Sequence, residues 1–338
     1  MTGVIERRSP LDYVFGTKQL SFWSIGSDNT LSMRHLDLAD DVLQDVLEKH
    51  GIRYDEKLTC YEPSFDISTF LVAFLPAHIL VLAAVLVTTL ITPFGFFTAA
   101  ATIAVYGGLL TYFTFYYRRA SVDLYQNDIC VTRGIVYRTR HHLNMDDVKD
   151  ISSTTYPLVS AGSLTLNVAG ERVIQTNNGS QRIPYQTGIR FLPGVRDIHR
   201  AINNTILGKP HSATTTQDFH ITGQPSLYNL FLLAGVLLPL TLVFIWLLPV
   251  FVLRRRYMWY GVADEHVVSR TGIFFKEETT IRYGKIDHVN QSRGWRNKVC
   301  GNTSVMIQTT GSGAAEMTLL DIDNAERFMD YLDEQQNT

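Results

Sequence analysis

The side chains in this sequence that could do chemistry are histidines and carboxylates, and they are spread thinly. His141-His142, His266 and His288 stand far apart, and Asp146-Asp147 falls on a turn between two strand-like segments. A bound zinc ion needs ligands at short, fixed spacing, as in H-E-x-x-H, and none of these residues has it. The sequence also lacks the G-x-S-x-G of a nucleophilic serine and the G-x-x-x-x-G-K-[ST] of a phosphate loop. Gly311-Ser312-Gly313 reads as a hairpin turn instead. Cys60, Cys130 and Cys300 are isolated, which excludes a disulfide framework and points to a reducing compartment. No metal, no cofactor and no enzymatic activity are expected.

Two other sets of residues carry functional readings. His78 lies inside a long apolar run, where an ionisable group is a functional candidate by default. The alternative is a neutral imidazole hydrogen-bonded to a neighbouring helix. Arg118, Arg119, Arg254, Arg255 and Arg256 close two apolar segments. They read as topology signals or as contacts to an anionic membrane surface, a patch that Arg133, Arg138 and Arg140 would extend. Asp321, Asp323, Glu326, Asp330 and Asp333 read as the solvated face of a closing helix.

The elements that must position these residues follow from composition and periodicity. Only 18% of the chain is charged, against about 25% in soluble domains, while 46% is apolar. Thirty basic and 32 acidic residues give a net charge of -2, which argues against a nucleic-acid partner. From Ile67 to Tyr117 there is no Asp, Glu, Lys or Arg. That run allows two spans of about 20 residues each, near 69–91 and 96–117, split at Thr92-Pro93-Phe94-Gly95. Tyr112, Tyr116 and Tyr117 are interfacial aromatics, and Arg118-Arg119 place that end in the cytoplasm. A third apolar segment, Leu227 to Leu253, contains Pro239 and Pro249 and ends in the arginine triplet. It either spans once or dips into the membrane as a hairpin; the continuity of its start with the side of Arg118-Arg119, and the arginine triplet at its end, favour the hairpin.

The remaining segments read as soluble and β-rich. Leu20 and Phe22 alternate with polar residues, and Leu38, Val42, Val46 and Leu47 fall at helical spacing before Gly51. Ile129 to Tyr137 reads as two strands around Gly134. Ser163–Val168 and Glu171–Gln175 continue the alternation to a loop at Asn177-Asn178-Gly179. Val195, Ile198, Ile202 and Ile206 form a helical stripe. The divisions are then 1–50, a connector at 51–67, a membrane hairpin at 68–117, a module at 118–207, a linker at 208–225, a membrane segment at 226–253 and a module at 254–338.

These soluble parts read as copies of one template. Setting Val4–Leu47 against Val289–Asp333 matches Arg8 with Arg293, Gly16 with Gly301, and Leu20 and Phe22 with Val305 and Ile307. The middle segment matches Gly134-Ile135 with Gly272-Ile273 and Val148 with Ile286, and then Leu166 and Val168 with Val305 and Ile307. Strand parity holds throughout.

Tyr260-Gly-Val-Ala-Asp-Glu-His-Val-Val-Ser-Arg-Thr-Gly-Ile-Phe, Ile281-Arg-Tyr-Gly-Lys-Ile-Asp-His-Val and Gly301-Asn-Thr-Ser-Val-Met-Ile resemble the bacterial pleckstrin-homology (PH) family, specifically its YdbS/YdbT-like membrane proteins with tandem modules. The resemblance implies an α+β membrane protein whose bent β-sheet modules are each closed by a C-terminal helix and separated by transmembrane helices. It implies a multi-pass protein of the inner (cytoplasmic) membrane with cytoplasmic modules. Its work would be scaffolding or assembly through a protein partner or a homo-oligomer, with a loose link to envelope stress or defence. A module-regulated transporter and a module binding anionic membrane lipids are the alternatives. The copy at Val4 begins in mid-module, and two explanations are open: a shortened gene, or strands donated by another chain.

Overall fold

Alternating apolar residues place nearly every soluble segment in β-structure, but the strands do not pair in chain order. The computed structural model describes residues 3–23, 31–37, 40–55, 57–63, 67–91, 95–176, 179–208, 219, 221–225, 243–310, 316–322 and 325–336. The proposed turn at 311–313, the loop at 177–178 and residues 226–242 lie outside them.

The N-terminal unit is a meander of β1 (Gly3–Arg8), β2 (Lys18–Trp23) and β3 (Leu31–Leu36), followed by helix α2 (Asp40–Lys49). A short helix, α1 (Pro10–Phe15), interrupts it, started by a capping box between Ser9 and Asp12. Val4, Leu20, Phe22, Leu43, Leu47 and Ile52 form its small core. The buried stripe of α2 is therefore Leu43 and Leu47, and Val42 is exposed.

The middle unit begins with β4 (Lys57–Tyr61) and then leaves the sheet for three apolar helices: α3 (Ile67–Ala73), α4 (Leu75–Ile91) and α5 (Gly95–Arg118). Phe97–Arg118 is long and apolar enough to cross a membrane, while Ala77–Thr89 is shorter. The break between α3 and α4 falls just before Pro76, whose nitrogen has no hydrogen to donate. The chain rejoins the sheet as β5 (Ser121–Tyr125), β6 (Asp128–Arg133) and β7 (Arg138–Asn144). It turns through a 3-10 helix at Met145–Asp147 into β8 (Val148–Thr155), β9 (Ala161–Thr176), β10 (Gly179–Pro193) and helix α6 (Val195–Ile206).

The C-terminal unit repeats this order. β11 (Ile221–Gly223) precedes the apolar segment, of which helix α7 (Val243–Arg256) is described. Then come β12 (Trp259–Val262), β13 (His266–Thr271), β14 (Lys276–Arg282), a 3-10 turn at Tyr283–Lys285, β15 (Ile286–Ser292), α8 (Trp295–Cys300), β16 (Thr303–Thr309), β17 (Met317–Ile322) and α9 (Ala325–Gln336).

Sheets run across the borders between these units. One seven-stranded sheet has the order β3-β2-β1-β7-β6-β5-β4, another has β10-β9-β8-β14-β13-β12-β11, and β15-β16-β17 form a third. All pairings among the described residues are antiparallel. Gly3, Val4 and Ile5 stand opposite Leu143, His142 and His141, while Asp150, Ile151 and Ser152 stand opposite Ile281, Thr280 and Thr279. The edge of β1 is thus filled by this chain's own β7. β1 also divides its side chains between two cores: Val4 joins the N-terminal cluster and Ile5 the middle one.

The pairing moves one expected match by two residues. Leu166 stands opposite Ile151 as Ile307 stands opposite Val289, so Leu166 takes the place of Ile307 rather than of Val305. A two-residue slip keeps every side chain on its face, so the alternation alone does not reveal it. It arises because a tight turn, closed by Tyr156 N–H donating to Ala161 O, stands where the other units carry α1 and α8.

Gly134 and Gly272 hold φ of 105° and 97° in the β6–β7 and β13–β14 hairpins. A Cβ on either would lie 1.9 Å from the carbonyl oxygen of Tyr137 or Phe275. Gly134→Ala is expected to cost roughly 2–3 kcal/mol, read as a drop in thermal midpoint, since both the backbone strain and the collision must be relieved.

Candidate functional site

The end of α5 packs on the middle sheet through aromatic residues. Tyr117 is buried edge-on against Phe191, with ring centroids 4.6 Å apart, and Phe113 stacks on Phe74 at 5.9 Å. Beside this contact lies a cavity of about 300 Å³ lined by Tyr112, Tyr116, Tyr117, Arg133, Gly188 and Arg190, among others. Arg133 is half-buried and donates to Gly188 O at 3.4 Å and to His141 Nε2 at 3.3 Å, whereas Arg190 is exposed. A guanidinium can only donate, so Nε2 of His141 accepts and its Nδ1–H faces the Tyr185 hydroxyl at 2.9 Å. Burial, with Arg133 and Arg7 nearby, holds His141 down at about 3, so the ring is neutral. Arg118 and Arg119 are exposed at the helix end.

His78 is buried between α4 and α5. Its Nδ1 lies 3.0 Å from the Tyr106 hydroxyl and its Nε2 lies 3.4 Å from Phe70 O. A carbonyl only accepts, so Nε2 carries the hydrogen and Nδ1 accepts from Tyr106. Phe70, Phe74 and Tyr106 surround the ring. Thr89, Thr102 and Thr111 donate to carbonyls of their own helix, and Thr88 does the same. Grooves of about 560 and 440 Å³ on the hairpin are lined mainly by apolar side chains.

A second polar cluster sits where the N-terminal and middle units join. Glu6, 2% exposed, faces Arg8 at 2.9 Å, Arg140 at 3.5 Å and His142 at 3.7 Å. Burial pushes its carboxyl up, but His142, Arg140 and Arg8 together outweigh this and bring it down to about 2. Asn144 at the end of β7 donates to Gly51 O across the same border.

In the C-terminal unit, β11–β14 pass through the 3-10 turn into β15–β17, and α9 closes a core of Tyr260, Val267, Ile281, Val305, Ile307 and Phe328, among others. Residues 219–336 match the family model of the bacterial PH domain. No curated protein matches the chain.

The PH domain is joined to the middle unit by buried polar contacts. His199 on α6 reaches Ser153 Oγ on β8 at 2.8 Å and Thr280 Oγ1 on β14 at 2.9 Å. Arg282, at the end of β14, donates to the Met145 and Val148 carbonyls at 3.2 and 2.5 Å and so grips the turn before β8. Asp150 accepts from Asn167 at 2.7 Å and faces the carboxyl of Glu316 from the PH domain.

The arginine triplet at 254–256, inside the matched stretch, divides. Arg254 and Arg256 are exposed, but Arg255 is only 15% exposed and pairs with Asp321. Asp321 is itself buried at the end of β17, at φ 55°, and accepts from Asn297 and Ser304. It is therefore not on a solvated helix face, because α9 begins only at Ala325; Glu326 and Asp330 are exposed there. His141, His142 and His266 are buried and His288 is exposed, and the described residues hold no cluster of three metal-ligating side chains. Sequence reading missed Glu6, Asp150 and His199. His199 carried a signal, since it lies four residues after Val195 on an otherwise apolar stripe.

Proposed function

We propose that the protein is a non-enzymatic, membrane-anchored scaffold in which PH-like modules are fused edge to edge. The observation that carries this reading is the pair of seven-stranded sheets, each contributed half by one unit and half by the next. Such continuity makes the row stiff: β-ladder hydrogen bonds, not linkers, join its parts. The exposed arginines after α5 support a course with the modules on the cytoplasmic face of the inner membrane.

The sheets also constrain the membrane course. β4 and β5 are neighbouring strands on either side of α3–α5, and β11 and β12 are neighbours on either side of the 226–256 segment. This pairing supports a course in which each apolar excursion starts and ends on one side of the membrane, and so a hairpin over a single span for the second. Cysteines placed at Gln224 and Tyr257 are expected to react with an impermeant maleimide from the same side of sealed vesicles. Opposite-side labelling would overturn that course. The scaffold reading predicts that the full chain, taken from membranes in mild detergent, runs as an assembly heavier than one polypeptide. A lone chain at single-chain mass would sink it.

The helix-end cavity favours a second reading, in which the protein binds an anionic lipid headgroup. Two arginines and three tyrosines converge there at the level where α5 would leave the bilayer. Arg190→Gln is expected to weaken retention of labelled phosphatidylglycerol about fivefold, the effect of one basic group near an anionic surface. Unchanged retention at low salt would exclude it.

A further inference from the structure

We propose that β15, the outer strand of the PH domain's second sheet, is an acceptor edge for another polypeptide. Its occupant is the closing strand of the first sheet of a PH-like module carried on that polypeptide. The inference rests on the scaffold reading and names its partner.

Three strands in this chain follow the same plan. β1, β8 and β15 each begin a three-stranded meander that a helix follows, and β8 and β15 each come directly after a 3-10 turn. β1 is filled by β7 and β8 by β14, in the same antiparallel register. The third has no such neighbour among the described residues: β15 pairs with β16 and ends its sheet. Exposure follows this difference. Residues 148–151 of β8 are buried, whereas Asp287, His288, Asn290, Gln291 and Ser292 of β15 are exposed and Val289 is half-buried.

The two filled junctions also specify the occupant. In both, the inserted strand is the last of a first sheet and is followed at once by a 3-10 turn, and its final residue, Asn144 or Arg282, grips a carbonyl of the acceptor unit. β7 and β14 are the strands of this kind among the described residues, and β1 and β8 already occupy them. A second copy has the same two strands in the same use, so the donor is a different chain. An edge of unpaired N–H and C=O groups is a template for such addition. Transferring the register, with His288 in the place of Asp150 and Asn290 in the place of Ser152, puts His288 opposite the residue that Leu143 and Ile281 represent. That is an apolar residue two positions before the partner's turn.

The test uses the full chain in cells, with p-benzoyl-phenylalanine replacing His288, Asn290 or, as a control on α9, Glu326. Irradiation is expected to join positions 288 and 290, but not 326, to another polypeptide. The attachment from position 288 should lie within about two residues of the end of a strand that precedes a turn in a PH-like first sheet, and that from position 290 about two residues earlier. Successive backbone N–H groups point to opposite sides of a strand. One of Asn290→Pro and Gln291→Pro therefore removes an outward donor, and the other one facing β16. The variant that keeps the parent melting temperature should lower the yield from position 288 about tenfold, the loss of one ladder hydrogen bond. Adducts to a second copy, to this chain's own segments, to a protein without such a strand, or no adduct at all each overturn the proposal. An assembly that persists without β15 adducts leaves the scaffold reading standing, whereas a lone chain removes both.

Discussion

Replacing His199 with leucine is expected to destabilise the chain by about 3 kcal/mol at neutral pH and to remove much of its sensitivity to acid. The imidazole, 2% exposed, bridges α6 to Ser153 and Thr280 and so ties the middle unit to the PH domain. Leucine fills most of the volume but leaves two buried hydroxyls without that partner, each worth about 1–3 kcal/mol. Burial pulls His199 down to about 4, against a smaller upward pull from Glu278, so the folded ring is neutral. The folded value lies below the ordinary one of about 6.5. The ring's contribution is therefore fully present above pH 6.5 and is lost as pH falls toward 4, amounting there to about 3 kcal/mol. Melts of the detergent-solubilised chain should show parent and variant far apart at pH 7.5 and nearly level at pH 4.5. A constant gap between them would mean that His199 is not the titrating link.

The Asp150→Asn change is expected to act in the opposite direction, raising stability by about 2 kcal/mol at pH 8. Asp150 is 2% exposed on β8, beside the carboxyl of Glu316 from the neighbouring unit. Burial first, and then the Glu316 charge, push its carboxyl well above the usual carboxylate range. A raised folded value means stability that is present in acid and is lost as pH rises, because the folded site holds a proton that the unfolded chain releases. An asparagine amide removes that burden. Its oxygen accepts from Asn167 as the aspartate does, and its NH₂ donates to Glu316. The gain should grow from pH 5 to pH 8 in paired melts. A variant less stable than the parent at pH 8 would show that the carboxylate is held charged by a partner.

These two groups show where local sequence information ran out. The strand alternation of Leu20 and Phe22, the turn at Gly134 and the stripe of Val195, Ile198 and Ile202 are legible because each is set by a residue's own φ/ψ range or by nearest-neighbour periodicity. The PH match at 219–336 covers the stretch whose residues suggested that family at the outset. His78 was legible as an ionisable group in an apolar run, but not its partner, because Tyr106 lies 28 residues away.

By itself, then, the sequence determined the alternation of strands such as β2, the apolar stripe of α6 and the long apolar run before Arg118, and it carries no closely spaced catalytic or metal-binding motif. Only the tertiary structure decided which strands are neighbours. Nothing local to β1 or β8 says that its edge is taken by a strand more than a hundred residues on, because strand pairing is made through backbone groups that every residue shares. The same pairing turned Glu6, Asp150 and His199 from ordinary surface polar residues into buried links. Packing within the C-terminal unit turned Arg255, read from its neighbours as a membrane contact, toward Asp321.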